Sequence, residues 1–174
     1  MPEVLYFETR LLQESNIIDF GSIKYVSNKE ELIKAENDEN IKMILISSIH
    51  SDILINNNID IFVNIASFQE INNHVIDQYL NIIKSNQSIL YHCNREEKKL
   101  IGGEVFKINY FNKYIEYKIF SSICPWHNKY YSLVPPFYLS YDGIHKHELF
   151  NFGVNNLKLK NFKFEISFIH KNPI

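Results

Sequence analysis

The stretch DIFVNIASFQEINNHVIDQYLNIIKSNQSILYHC, running from Asp60 to Cys93, carries the pattern that decides the fold. The segment Ile59 to Ile65 is apolar and rich in β-branched residues, as a strand in a buried sheet requires. Asn72 or Asn73 supplies a helix N-cap, since a short amide oxygen accepts from the unpaired N–H groups of a first turn. Behind that cap Ile76, Tyr79, Leu80 and Ile83 recur at helical spacing, with Asp77, Asn81 and Lys84 directed away. Ser88 to Cys93 (S-I-L-Y-H-C) is again apolar and short, a second strand. Two strands joined through a helix by short links imply a parallel pair and a right-handed crossover.

Upstream, Ile41 to Ile46 (I-K-M-I-L-I) is a further buried strand, Ile23 to Val26 a short strand, and Lys29 to Glu36 a short helix. Pro2 and Glu3, followed by Val4, Leu5, Phe7, Leu11 and Leu12, predict a helix from its first turn. The fixed φ of proline suits that position, and a carboxylate favours the positive end of the dipole. Downstream the period changes. After Gly102-Gly103, Val105, Lys107 and Asn109 alternate with Phe106, Ile108 and Tyr110, and Ile115, Tyr117 and Ile119 alternate with Glu116, Lys118 and Phe120. Phe162, Phe164, Ile166 and Phe168 alternate with Lys163, Glu165, Ser167 and Ile169. Period two with one polar face marks antiparallel, partly solvated strands. With no internal repeat and no linker, the expectation is one α/β domain over residues 1–174, parallel strands first and antiparallel strands last.

Composition narrows the function classes. The chain has 174 residues, 45% of them hydrophobic, which is enough for a core of ordinary soluble type. A formal net charge of −2 offers no electrostatic basis for binding nucleic acid or an anionic membrane. No apolar run approaches the roughly 20 residues of a membrane span. Met1-Pro2-Glu3-Val4 has neither a basic leader nor a signal-peptide core, so a cytoplasmic location with reduced thiols is expected. Two cysteines, Cys93 and Cys124, cannot build a disulfide framework or a four-cysteine zinc site, although they could pair with each other.

Several segments resemble the sugar O-methyltransferases, a family of S-adenosylmethionine-dependent enzymes with a Rossmann-like sheet. Pro2-Glu-Val-Leu-Tyr-Phe7 resembles the segment just past that family's second strand. Asp60-Ile-Phe-Val-Asn64-Ile-Ala-Ser67-Phe-Gln69-Glu70-Ile-Asn72 resembles its fourth strand and following loop, and Tyr91-His-Cys-Asn94-Arg95-Glu-Glu-Lys98 the end of its fifth. Cys124-Pro-Trp126-His127-Asn-Lys-Tyr130-Tyr131 and Pro135-Pro-Phe137, with Tyr141-Asp-Gly143, resemble its late loops. The resemblance implies methyl transfer from S-adenosylmethionine to a hydroxyl of a sugar or sugar-containing glycan precursor. It also implies that the family's first strand, glycine-rich turn and ribose-binding acid lie before Met1, so the chain reads as an N-terminally truncated, incomplete methyltransferase sheet. None of the five glycines forms a G-x-G turn. Glycines there let backbone approach the cofactor, and without them the pocket is half built. A second expectation is therefore a non-catalytic remnant or interaction subunit that no longer binds cofactor. A sheet lacking its central strand also exposes unpaired edges and invites self-association.

The candidate site residues follow from the same fold, because ligands of open α/β sheets bind beyond the carboxyl ends of the strands. In the family fold the loop Ser47 to Asp52, with Ser48 and His50, lies beside the adenine, and Asn64 and Ile65 lie beneath the methionine end of the cofactor. A sugar hydroxyl is a weak nucleophile, so its proton needs a base or a metal while oxygen, carbon and sulfur are held in line. Glu70 and His127 are the candidate bases. Glu70 equally suits a solvated charge before the Asn72 cap, and His127 beside Trp126 suits simple packing. Asn94 and Arg95 are placed to orient a hydroxyl or a phosphorylated sugar, and Trp126 to stack on a sugar face. Arg95 could instead pair with Glu96 or Glu97 on the surface. His145-Lys146-His147, after the turn signal Asp142-Gly143, is expected on a surface loop, and Cys124-x-x-His127 offers only two ligands. Neither makes a metal site by itself, so none is assigned.

Overall fold

The computed structural model describes residues 10, 14, 19–115, 117–125, 127, 129–131, 133–135, 137–140 and 143–153. The helix predicted from Pro2 and the strand predicted around Phe162 to Phe168 lie outside the described residues. The chain is a mixed α/β protein with both parallel and antiparallel sheets. It divides into two compact units, one of residues 1–58 and 73–86, the other of residues 59–72 and 87–174.

In the first unit β1 (Ile23–Val26) and β2 (Met43–Ile46) pair in parallel, Ile23 opposite Met43 and Val26 opposite Ile46. Between them runs α1 (Lys29–Glu36), the helix its sequence predicts. Asn28 starts it in extended conformation, its Oδ1 accepting from Glu31 N at 3.0 Å, while Glu31 Oε2 reaches back to Ser27 N at 2.8 Å. These reciprocal bonds satisfy donors that a helix N-terminus otherwise leaves unpaired. The buried side of α1, Leu32 and Ala35, packs with Val26, Ile41, Ile44, Ile46, Ile53 and Leu54. After β2 a 3-10 segment spans Ser48–Leu54, and the run Asn56-Asn57-Asn58 turns the chain. Asn56 and Asn58 adopt φ of 55° and 53°, a left-handed region that asparagine enters at less cost than other side-chain-bearing residues. Asn57 N donates to Asn86 Oδ1 at 2.6 Å, and Asn86 Nδ2 donates to Leu54 O at 2.7 Å. Asn86 follows α2 (Asn73–Ser85), which buries Ile76, Leu80, Ile82 and Ile83 and leaves Asn81 and Lys84 exposed. Among the described residues, no helix is long and apolar enough to cross a membrane.

In the second unit β3 (Ile61–Ile65) and β4 (Ile89–Arg95) run parallel, from Ile61 opposite Ile89 to Ile65 opposite Cys93. Along the chain, β3, α2 and β4 form the strand–helix–strand succession that the 60–93 stretch predicts. Two short antiparallel pairs follow: β5 (Glu97–Lys99) with β6 (Val105–Lys107), and β8 (Lys129–Tyr131) with β9 (Tyr138–Ser140). The remaining strands, β7 (Tyr117–Ile123) and β10 (His145–Asn151), complete a four-stranded sheet in the order β3-β4-β10-β7. β10 is antiparallel to both of its neighbours, His147 lying opposite Cys93 on one side and Ser122 on the other.

Two expectations are corrected here. Alternation predicts extended chain through Tyr110, but β6 stops at Lys107 and a 3-10 helix spans Ile108–Lys113. The turn drives Phe111 inward against Phe68 and Phe106, with ring centroids 5.5 and 5.8 Å away, and this burial outweighs the local alternation. His145 and His147, expected on a surface loop, belong instead to β10 and are 2% and 3% exposed. Pairing with β4 and β7 on both sides removes them from water.

Candidate functional site

At the carboxyl ends of β3 and β4, side-chain amides hold the following loop onto the sheet. Asn94 is fully buried, and its Nδ2 donates to Asn64 Oδ1 at 3.0 Å. Asn64 Oδ1 also accepts from Phe68 N at 3.2 Å, and its Nδ2 donates to Ser67 Oγ. Gln69 N donates to Asn94 Oδ1 at 3.4 Å, and Gln69 Oε1 accepts from Arg95 N at 2.6 Å. Ala66, at φ 57°, donates its N–H to Cys93 O at 2.8 Å. A buried amide is costly unless paired, so this lattice rigidifies the loop. It also occupies the polar atoms of Asn64 and Asn94 that a ligand would use. Ile65, in register with Cys93, is exposed.

Glu70 lies just beyond, its carboxylate bound by Lys98 Nζ. The Lys98 hydrogen bond holds that carboxyl below its usual range against a smaller effect of burial, with Arg95 adding in the same direction. A carboxylate so stabilised is a weak base and suits orienting a hydroxyl better than removing its proton. The structure thus brings Glu70, Asn64, Asn94 and Arg95 to one sheet end. Ser48 and His50 belong to the first unit. Ser48 is exposed and lines a cleft of about 590 Å³ with Asp52, Gln78 and Asn81. His50 is half-buried in the same 3-10 segment. Trp126 lies outside the described residues.

His127 lies in the loop after β7, beside two buried cysteines. Its Nδ1 is 3.5 Å from Cys93 Sγ and 3.4 Å from Cys124 Sγ, and both cysteines are fully buried. The His127 ring stacks on His145, centroids 5.2 Å apart and planes at 22°. Burial pushes the Cys93 thiol up to about 12, and Cys124 adds to the effect. Burial likewise lowers His145 and His147 below the ordinary imidazole value. Cys124-x-x-His127 is legible as a spacing, but Cys93 joins it only through the sheet, 31 positions earlier in the chain.

On the opposite face of β4 a second polar group is enclosed. Glu148 accepts from Lys118 Nζ at 2.8 Å and Ser121 Oγ at 2.6 Å, and its Oε2 lies 3.2 Å from His92 Nε2. The His92 contact is close but poorly aligned for a hydrogen bond. Burial alone would raise the Glu148 carboxyl, yet His92, Lys118 and Ser121 together hold it down at about 2. His92 itself is pressed toward neutrality by burial, its ring 4.7 Å from Phe111 and 5.1 Å from Phe150.

Compared with family models, with curated proteins and with solved structures, the chain matches none.

Proposed function

We propose that this chain belongs to the S-adenosylmethionine-dependent methyltransferases and serves methyl transfer to a sugar hydroxyl. One observation carries the proposal: the sheet order β3-β4-β10-β7, with two parallel strands joined through a helix and the last strand antiparallel beside them. That is how a methyltransferase sheet closes, and its strand tips are where such a fold takes its ligands. By the family resemblance, the loop after β2, with Ser48 and His50, is the one beside the adenine. In this assignment Asn64 and Ile65 border the methionine end, Asn94, Arg95 and Trp126 orient the sugar, and Glu70 or His127 handles its proton. The Lys98 contact weakens Glu70 as a base.

A specific observation favours a second reading, a methyltransferase-like module that binds no cofactor. Asn64 and Asn94 spend their amides on each other and on the 66–69 loop. Calorimetric titration of the full chain with S-adenosylhomocysteine separates the two. Binding in the micromolar range is expected of the enzyme. Absence of heat at millimolar ligand rejects it and leaves the module.

A further inference from the structure

We propose that Cys93, Cys124 and His127 form a binding site for a thiophilic divalent cation, Zn²⁺ above all. The three ligand atoms lie within 4.8 Å of one another. Zinc takes thiolate at about 2.3 Å and imidazole at about 2.0–2.1 Å, so a tetrahedral site sets sulfur and nitrogen about 3.5 Å apart. The Cys93 and Cys124 sulfurs already stand 3.5 and 3.4 Å from His127 Nδ1.

Buried cysteines are common as small apolar residues, and two of them in contact need no metal. The added feature is an imidazole nitrogen that converges on both sulfurs, one from its own loop and one from β4. Each ligand is also held from behind. Cys93 lies in β4 between Ile65 of β3 and His147 of β10. Cys124 N donates to His145 O at 2.8 Å, which ties the residue after β7 to the start of β10. His127 is braced by the stacked ring of His145. Ligands on rigid elements with a supporting shell are what tight metal binding requires. Two sulfurs and one nitrogen select zinc over magnesium or calcium, which want oxygen. Three protein ligands leave a fourth position to water or a bound oxygen, and the site lies at the carboxyl ends of β3 and β4, where this class of sheet works.

The inference does not rest on methyl transfer, and its test needs no methyl donor. The reduced full chain is titrated with Co²⁺ under anaerobic conditions, then with Zn²⁺. One equivalent of Co²⁺ is expected to give a thiolate-to-cobalt charge-transfer band, which one equivalent of Zn²⁺ abolishes. Cys124→Ser and His127→Gln should each weaken binding by at least about a hundredfold, whereas His74→Gln, on the exposed side of α2, should leave it unchanged. Because His127 is only half-buried, His127→Gln is expected to keep the circular dichroism of the parent and serves if the cysteine variant does not fold. No band, a band that survives His127→Gln in a folded chain, or thiols equally reactive with and without Zn²⁺ would overturn the proposal.

Discussion

Glu148 shows how one residue's surroundings decide its chemistry. It follows His145-Lys146-His147, the stretch expected on a surface loop, and its carboxylate is buried and bonded by Lys118 and Ser121 beside His92. Its pKa in the fold, about 2, is below the ordinary 4.5, so the folded state resists protonation more than the unfolded chain does. That contribution is therefore complete above pH 4.5 and is lost as pH falls toward about 2. Denaturant titration from pH 6 to pH 2 should show a loss of ~1–3 kcal/mol from this group. Glu148→Gln should lose a similar amount at pH 6 and flatten the acid limb. An unchanged acid limb would mean that Glu148 is not the group responsible.

At the scale of elements, α1 and α2 follow from local rules and the 3-10 turn after β6 does not. In α1 the cap, the acidic first turn and the apolar spacing agree, so its ends match those read from sequence. Asn28→Ala removes the bond to Glu31 N and should cost the protein about 1 kcal/mol, read as a lower denaturation midpoint at unchanged slope. A change of a few tenths or less would show that the Ser27–Glu31 bonds alone suffice. Residues 105–110 alternate as a strand would, but the aromatic cluster of Phe68, Phe106 and Phe111 gains more from a tight turn than a longer strand would give.

Across the whole molecule the exposed side of the sheet is the consequential feature. Among the described residues β3 is an edge strand, and Ile61, Val63 and Ile65 are 46%, 60% and 53% exposed. Apolar edge strands pair with other chains unless blocked by charge or cover. Light scattering on a dilution series should reveal concentration-dependent self-association, and Val63→Lys should shift it toward monomer without lowering the melting temperature. A parent chain that stays monomeric throughout would refute this. The parallel pairing of β3 with β4 was legible from Ile59 to Cys93, because alternating strand and helix periods leave few other topologies. The fate of His145 and His147 was not, since their neighbours Cys93 and Ser122 come from distant parts of the chain. For the same reason the sequence does not show that the Asn94 amide bolts the 66–69 loop to β4. Sequence by itself determined the order and type of the central elements, because hydrophobic period and caps act within a dozen residues. Only the tertiary structure decided which polar side chains are buried and that two sulfurs and an imidazole meet, because such encounters depend on strand pairing between positions far apart in the chain.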